Sequence, residues 1–440
     1  MMAAASSPPH KPSLLARLVL TLYTYLPMPF YAALWAACSA SVGGKSGLEW
    51  RLAIRSLPPR GRRAVWFHAA SVGEISTIAP VVTQMKQTFP DLPVVVTTMT
   101  PGGARRAAEK LEGVEIALAP YDFLPAVKRF VAATEPACLV IGETELWPNM
   151  ITEAKRQGAS VVLVNGRISQ KSYPRYRTIR FVMGWILNHF DLLLMRTETD
   201  AHRIVSLGAA PERVEVAGNT KYDMLPAPIP PGRRRDLRRD LGISERAAVV
   251  TLGSAREGES EIVMRGLAER VKRDDLVLVI APRHLNLVPQ IEQAAKSFGR
   301  KVTVVRGLDL PAGETPSEVI ILAQMGHLLE TYAISDVAIV GGTLRPFGGH
   351  NPLEPASQGV VTVVGPFTQN IRDDMSYLTS RSCALAVDEF TLGQAVADIL
   401  ADEEKRQAMG RAAARAVEDK KGIAQRCVDA MVRRGLLPRE

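Results

Sequence analysis

AVWFHAA (64–70), PVVVTTM (93–99), ACLVIGE (137–143) and SVVLVNG (160–166) are short apolar runs rich in β-branched residues, separated by stretches of helical spacing. Their apolar character is continuous rather than alternating, as strands covered on both faces require. VEIALAP (114–120), LLLMRT (192–197) and VEVAG (214–218) extend the series. Strands alternating with helices imply a parallel sheet with right-handed crossovers. A second series follows: AVVTLGS (248–254), LVLVIAP (276–282), KVTVVRG (301–307), VIILA (319–323), VAIVGGT (337–343) and VVTVVGP (360–366). Between the two lies MLPAPIPPGRRRDLRRD (224–240), which reads as a Pro- and Arg-rich linker entering a basic helix. A final helical stretch runs from about Thr391 to Arg434. The expected fold is α/β, with two Rossmann-like domains, 58–225 and 226–440, facing a central cleft.

The 440 residues are enough for two domains of about 150–200 residues each. Hydrophobic residues at 47% and charged residues at 22% exclude wholesale disorder. Lys+Arg 54 against Asp+Glu 45 leaves a net charge of +9, which suits anionic partners. Cys38, Cys138, Cys383 and Cys427 form no C-x-x-C, and the histidines show no metal-ligand spacing. Neither a zinc cluster nor a disulfide framework is expected, and a reducing compartment is the simplest home for the thiols.

From Leu18 to Gly44 there is no charged residue, long enough to cross a bilayer core. Pro27 and Pro29 interrupt the run, so a re-entrant or oblique anchor competes with a straight span. Lys11 and Arg17 precede it, whereas Lys45, Arg51, Arg55, Arg60, Arg62 and Arg63 follow. The heavier positive side places the body of the protein in the cytoplasm. A cleaved signal peptide with Cys38 as a lipid site is the alternative. Residues 1–57 are thus expected to be a tail and membrane anchor.

Ligands of open parallel sheets sit beyond the carboxyl ends of the strands, so the segments there rank first for chemistry. In His68-Ala-Ala-Ser71-Val-Gly73-Glu74, Glu74 is either a general base or the second half of a Ser71-x-x-Glu74 capping box. In Gly142-Glu143-Thr144-Glu145-Leu146-Trp147-Pro148-Asn149, the two carboxylates either serve a substrate or complement a helix dipole. The Gly-rich run Gly341 to Glu354 brings backbone near a ligand, with Asn351 as helix cap, Pro352 at the first position and Glu354 completing the box. That helix start is expected to hold a phosphate. Gly253 to Glu259, Arg283-His284 and Met325-Gly326-His327 each follow a strand of the second series. Arg283 is a credible anion clamp; His284 and His327 are ligand contacts or ordinary surface residues. Gly44-Lys45-Ser46 mimics a P-loop end, but Ser39 stands where its first Gly belongs. No D-x-D, H-E-x-x-H or G-x-S-x-G occurs, and nothing resembles a nucleic-acid-binding module.

HAASVGE, VVVTTMTPGG, GETELWPN, NGRIS, AGNTKYD, PRH, GGHNPLEPA and VVGP, in this order, resemble the Kdo transferases of lipopolysaccharide assembly, from about Ala64 to Pro366. The resemblance implies a GT-B fold and inverting, metal-independent transfer from CMP-Kdo to a lipid A precursor, with no cofactor. It also implies attachment to the cytoplasmic face of the inner membrane. By position it makes Glu74 the catalytic base and assigns Glu143 and Lys221 to transition-state stabilisation. Pro282, Arg283, Met325, Gly326, His327, Asn351, Pro352, Leu353 and Glu354 match its CMP-binding segments. Two positions depart from the family: it often has Glu at His327 and Thr-His at Ala255-Arg256. Another GT-B glycosyltransferase with a different nucleotide sugar, and a non-catalytic membrane-anchored nucleotide-binding protein, are the competing expectations.

Overall fold

The computed structural model describes residues 13–30, 32–33, 63–270, 276–310 and 318–438. The chain divides into two units, the first reaching Met224 and taking in 422–440, the second running from Leu225 to Lys421.

Seven strands build the first unit: β1 (Val65–His68), β2 (Val94–Thr98), β3 (Glu115–Leu118), β4 (Cys138–Gly142), β5 (Ser160–Gly166), β6 (Leu192–Met195) and β7 (Val214–Val216). All pairs are parallel, in the order β3-β2-β1-β4-β5-β6-β7. The strand order reverses between β1 and β4, the switch point at which such sheets bind ligands. Continuous burial along β1, β2 and β4 explains their unbroken apolar sequence. Trp66, Leu139, Ile141, Val161 and Leu193 join a core with Phe130, Met150 and Ile186 from the covering helices. Each such side chain contributes about 1.5–3 kcal/mol by leaving water.

The second unit holds β8 (Ala248–Ala255), β9 (Leu276–Pro282), β10 (Val302–Val305), β11 (Val319–Leu322), β12 (Val337–Val340), β13 (Val361–Val364) and β14 (Ala384–Ala386). It too is wholly parallel, ordered β10-β11-β9-β8-β12-β13-β14, with its reversal between β8 and β12. The three-residue edge strand β14 is too short to leave a readable apolar run.

Two expectations about domain bounds are corrected. The stretch 391–434 is three helices, Leu392–Ala401, Glu403–Glu418 and Ile423–Arg433. Asp402 caps the second through a 2.9 Å bond from Lys405 N–H, and Gly422, at φ 77°, separates the third. The third helix belongs to the first unit rather than to the C-terminal domain, because Asp223 accepts from Ile423 N–H and Ala424 N–H at 3.2 and 2.5 Å. The N-terminal segment is not separate from the core either. Its helix Leu14–Tyr25 packs on the helix Arg180–Leu187, with Thr24 bonded to Asn149 and Tyr23 to Asp122, both at 2.9 Å. Among the described residues no helix is long and apolar enough to cross a membrane. Most of the charge-free run, Cys38 included, and the basic residues from Lys45 to Arg62 lie outside the described residues.

Candidate active site

The helix Val72–Thr88 begins where β1 ends, with Ser71 as its cap. Ser71 Oγ accepts from Glu74 N–H at 3.4 Å and donates to Glu74 Oε1 at 3.2 Å, while Glu74 Oε2 accepts from Ala70 N–H at 2.6 Å. The capping box is therefore formed. The same Glu74 is half-buried, and burial, reinforced by the charge of Glu143, raises its pKa above the ordinary carboxylate value. The bonds from Ala70 and Ser71 oppose that rise. Cap and base are not exclusive here: the box fixes the carboxylate, and each oxygen keeps a further lone pair.

Gly142 allows the acidic cluster to form. A Cβ on it would lie 2.6 Å from the Ile78 side chain, so only glycine lets this helix pass so close to the end of β4. Glu143 follows with φ 55°, a left-handed conformation that costs a non-glycine residue about 1–3 kcal/mol. Its N–H donates to Val164 O at 2.9 Å, which anchors the strained residue to β5. Glu145 is also raised, by burial first and by the charge of Glu74 second. Glu74, Glu143 and Glu145 thus form one electrostatically coupled group at the first sheet's switch point.

Asn165, at the end of β5, is also left-handed (φ 55°), and its Oδ1 accepts from Thr220 N–H at 3.1 Å. That bond ties the 3₁₀ turn Thr220–Met224, which packs on the helix Val72–Thr88, to the sheet's carboxyl edge. Lys221 projects from this turn and is exposed. Asn165 and Asp223 were legible only as members of NGRIS and AGNTKYD; nothing in their spacing assigned them these structural bonds.

In the second unit, Pro282, Arg283, Met325 and Gly326 line one small cavity of about 30 Å³, together with Ser254 and Leu322. His327 lies at the start of the helix Leu328–Ala333, beside the cavity but not lining it. The Gly-rich segment after β12 folds back on itself: Gly349 N–H donates to Gly342 O at 2.7 Å, and His350 N–H to Gly341 O at 3.1 Å. Gly342, Gly348 and Gly349 all have positive φ, which explains the glycines. Glu259, fully buried, holds this segment by accepting from Gly342 N–H at 2.8 Å and Leu344 N–H at 2.9 Å, and also from Arg256 N–H at 2.8 Å.

The expected helix start at Asn351 differs in detail. The helix is only Leu353–Ser357, Pro352 occupies the cap position, and Asn351 Oδ1 accepts from Leu353 N–H at 3.0 Å. So short a helix sums few peptide dipoles, so fixed positive charge near an anion has to come mainly from side chains. Glu354 accepts from Asn351 Nδ2 at 3.2 Å; burial raises its pKa, while the charge of Arg283 opposes the rise. Sequence reasoning gave Glu259 no role and left Arg256 and His350 unassigned, although their glycine-rich surroundings marked the loops.

Residues 47–224 match the family model described as 3-deoxy-D-manno-octulosonic-acid transferase (kdotransferase). A 3-deoxy-D-manno-octulosonic acid transferase of Haemophilus influenzae is 32% identical over 84% of this chain and 86% of its own length. A bifunctional glycosyltransferase/methyltransferase of Fusobacterium nucleatum is 33% identical over 74% of this chain, which spans half of that relative's length. Among solved structures, Anabaena HepE in complex with UDP aligns over 84% of this chain and all of its own, with a TM-score of 0.58 and 12% identity; this likeness is one of fold. With nearly a third of positions shared over most of both chains in the Haemophilus enzyme, this chain belongs to the 3-deoxy-D-manno-octulosonic acid transferases.

Proposed function

We propose that the protein transfers Kdo from CMP-Kdo to a hydroxyl of a lipid A precursor with inversion at the anomeric carbon, following the GT-B division of labour. The first unit supplies the base and the second the donor site. Glu74 takes the proton of the acceptor hydroxyl, whose oxygen attacks the anomeric carbon as the bond to the CMP phosphate breaks. Glu143 and Lys221 stabilise the charges that develop, and Arg283 with the Pro282 and Met325-Gly326 cavity wall takes the nucleotide. The transition state is oxocarbenium-like, as in glycosyl chemistry generally. A single phosphate as leaving group demands less charge stabilisation than a diphosphate, so side-chain cations can serve.

The observation that carries this reading is Glu74, held rigidly by its own capping box and made more basic by burial beside Glu143. We place the chain at the inner membrane's cytoplasmic face. The helix Leu14–Tyr25 supports this, since Leu14, Leu15, Leu18 and Leu22 turn outward and exposed, and Leu26 and Phe30 extend that apolar face. The deciding experiment incubates the full chain with CMP-Kdo and a tetraacylated lipid A precursor and weighs the lipid product. The expected result is a mass gain of one or more Kdo units with release of CMP. Transfer from a UDP-sugar but not from CMP-Kdo, or no transfer from either, overturns the assignment.

A further inference from the structure

Arg256 stands just past the end of β8, and its backbone is fixed by Glu259: its N–H donates to Glu259 Oε2 at 2.8 Å, and its carbonyl accepts from Glu259 N–H at 3.2 Å. The side chain is held on two sides. The guanidinium lies 4.5 Å from the centroid of the Phe347 ring, and one terminal nitrogen is 2.7 Å from His284 Nε2. A guanidinium only donates, so His284 Nε2 is the acceptor of this contact. What remains is unmet: Arg256 Nε is buried without a hydrogen-bond partner, and so is His350 Nε2 nearby.

No carboxylate answers this charge. The carboxylate of Glu259 is occupied by backbone N–H groups, and Glu354 is bonded to Asn351. Among the described residues neither Arg256 nor Arg283 forms an ion pair. The positive field is felt locally: after burial, the charges of Arg283 and Arg256 hold His350 below its usual pKa. A pre-oriented guanidinium with no counter-ion suits an oxyanion, which its terminal nitrogens would meet.

A CMP-linked sugar acid carries two such groups, the phosphodiester and the sugar carboxylate. Arg283 lines the cavity with Pro282, Met325 and Gly326, whereas Arg256 does not line it and sits instead against Phe347 of the Gly-rich segment. We propose that Arg256, presented by Phe347 and His284, is a specificity-determining residue that binds the carboxylate of the transferred sugar acid, while Arg283 takes the phosphate. This rests on the reading of the donor given above.

The test compares two constants in the full-length enzyme: KM for CMP-Kdo and the inhibition constant of CMP, which lacks the sugar carboxylate. Arg256→Gln is expected to raise KM for CMP-Kdo by roughly 10- to 100-fold, with CMP inhibition within about threefold of wild type. Arg256→Lys, which keeps charge but loses the fork, should fall between the two. An equal weakening of CMP and CMP-Kdo overturns the proposal, because Arg256 would then serve the nucleotide or the fold. No change in either constant also overturns it. Wild-type enzyme that neither uses CMP-Kdo nor is inhibited by CMP removes the donor reading itself, a failure visible before any variant is made.

Discussion

Glu74 and Glu259 occupy the same station in the two units, each near the start of the helix that follows its sheet's first strand, and each bends its carboxylate back onto loop N–H groups. Their surroundings separate them. Glu259 is fully buried and accepts from Arg256, Gly342 and Leu344 N–H. Glu74 is half-buried, accepts from Ala70 and Ser71, and feels Glu143. A capping glutamate is chemically available when it keeps lone pairs and solvent access; one saturated by backbone donors is a clamp. The edges around them differ in sign as well, with Glu143 and Glu145 beside the first and Arg256 and Arg283 beside the second.

Glu74→Gln should break the comparison most visibly. Gln serves a capping box as well as Glu, so the helix keeps its cap. It cannot accept the proton, and turnover should fall by about 10²–10⁴-fold, the range for a positioned base. Stability should not fall. A carboxyl whose folded pKa lies above its unfolded one stabilises below the unfolded value and loses that contribution as pH rises through the folded one. At neutral pH the ionised Glu74 is therefore a cost that Gln removes. Kinetics and a melting curve on one preparation decide: activity within a few-fold of wild type leaves Glu74 a cap only.

Glu259→Gln should show the converse. The amide offers one acceptor and turns a donor toward N–H groups, leaving at least one of them unsatisfied. The cost is about 1–3 kcal/mol, a drop of several degrees in melting temperature. Unfolding by heat and by urea should agree in direction. An unchanged melting temperature would mean that these bonds contribute little and that Glu259 is not the clamp of the Gly-rich segment.

Much of this is legible in the sequence alone. Continuous apolar strands such as Ala137–Glu143 gave the parallel sheets because burial on both faces leaves no other pattern, and Ser71-x-x-Glu74 announced its box because capping is local. What escaped depends on long-range contacts. Nothing in the sequence ties Glu259 to Gly342, 83 residues away, or Asn165 to Thr220, 55 away. The stacking of Arg256 on Phe347 is equally non-local. The inward contacts of the N-terminal segment are non-local too: Ala16 is buried, and Leu20 and Met28 pack on the first unit's core, which its apolar sequence did not announce.

The smallest effect, and the finest test of the comparison, is the pH dependence of the acidic edge. A general base acts only when ionised, so with its pKa raised by burial and by Glu143, kcat/KM should fall on the acid side at a pH above the ordinary glutamate range. Glu143→Gln removes the charge that opposes ionisation of Glu74 but leaves the burial in place. The acid limb should then move to lower pH, by less than the whole elevation, because burial is the larger cause. Glu143→Gln is expected to lower the overall rate as well under the proposed role, so the position of the limb is the readout, not its height. Because the carboxylates are coupled, the measured value belongs to the group rather than to one residue. A control at the cationic edge, Arg256→Gln, should leave this limb in place. A limb that stays put in Glu143→Gln would show that burial alone tunes Glu74, and that the neighbouring carboxylate acts on the substrate instead.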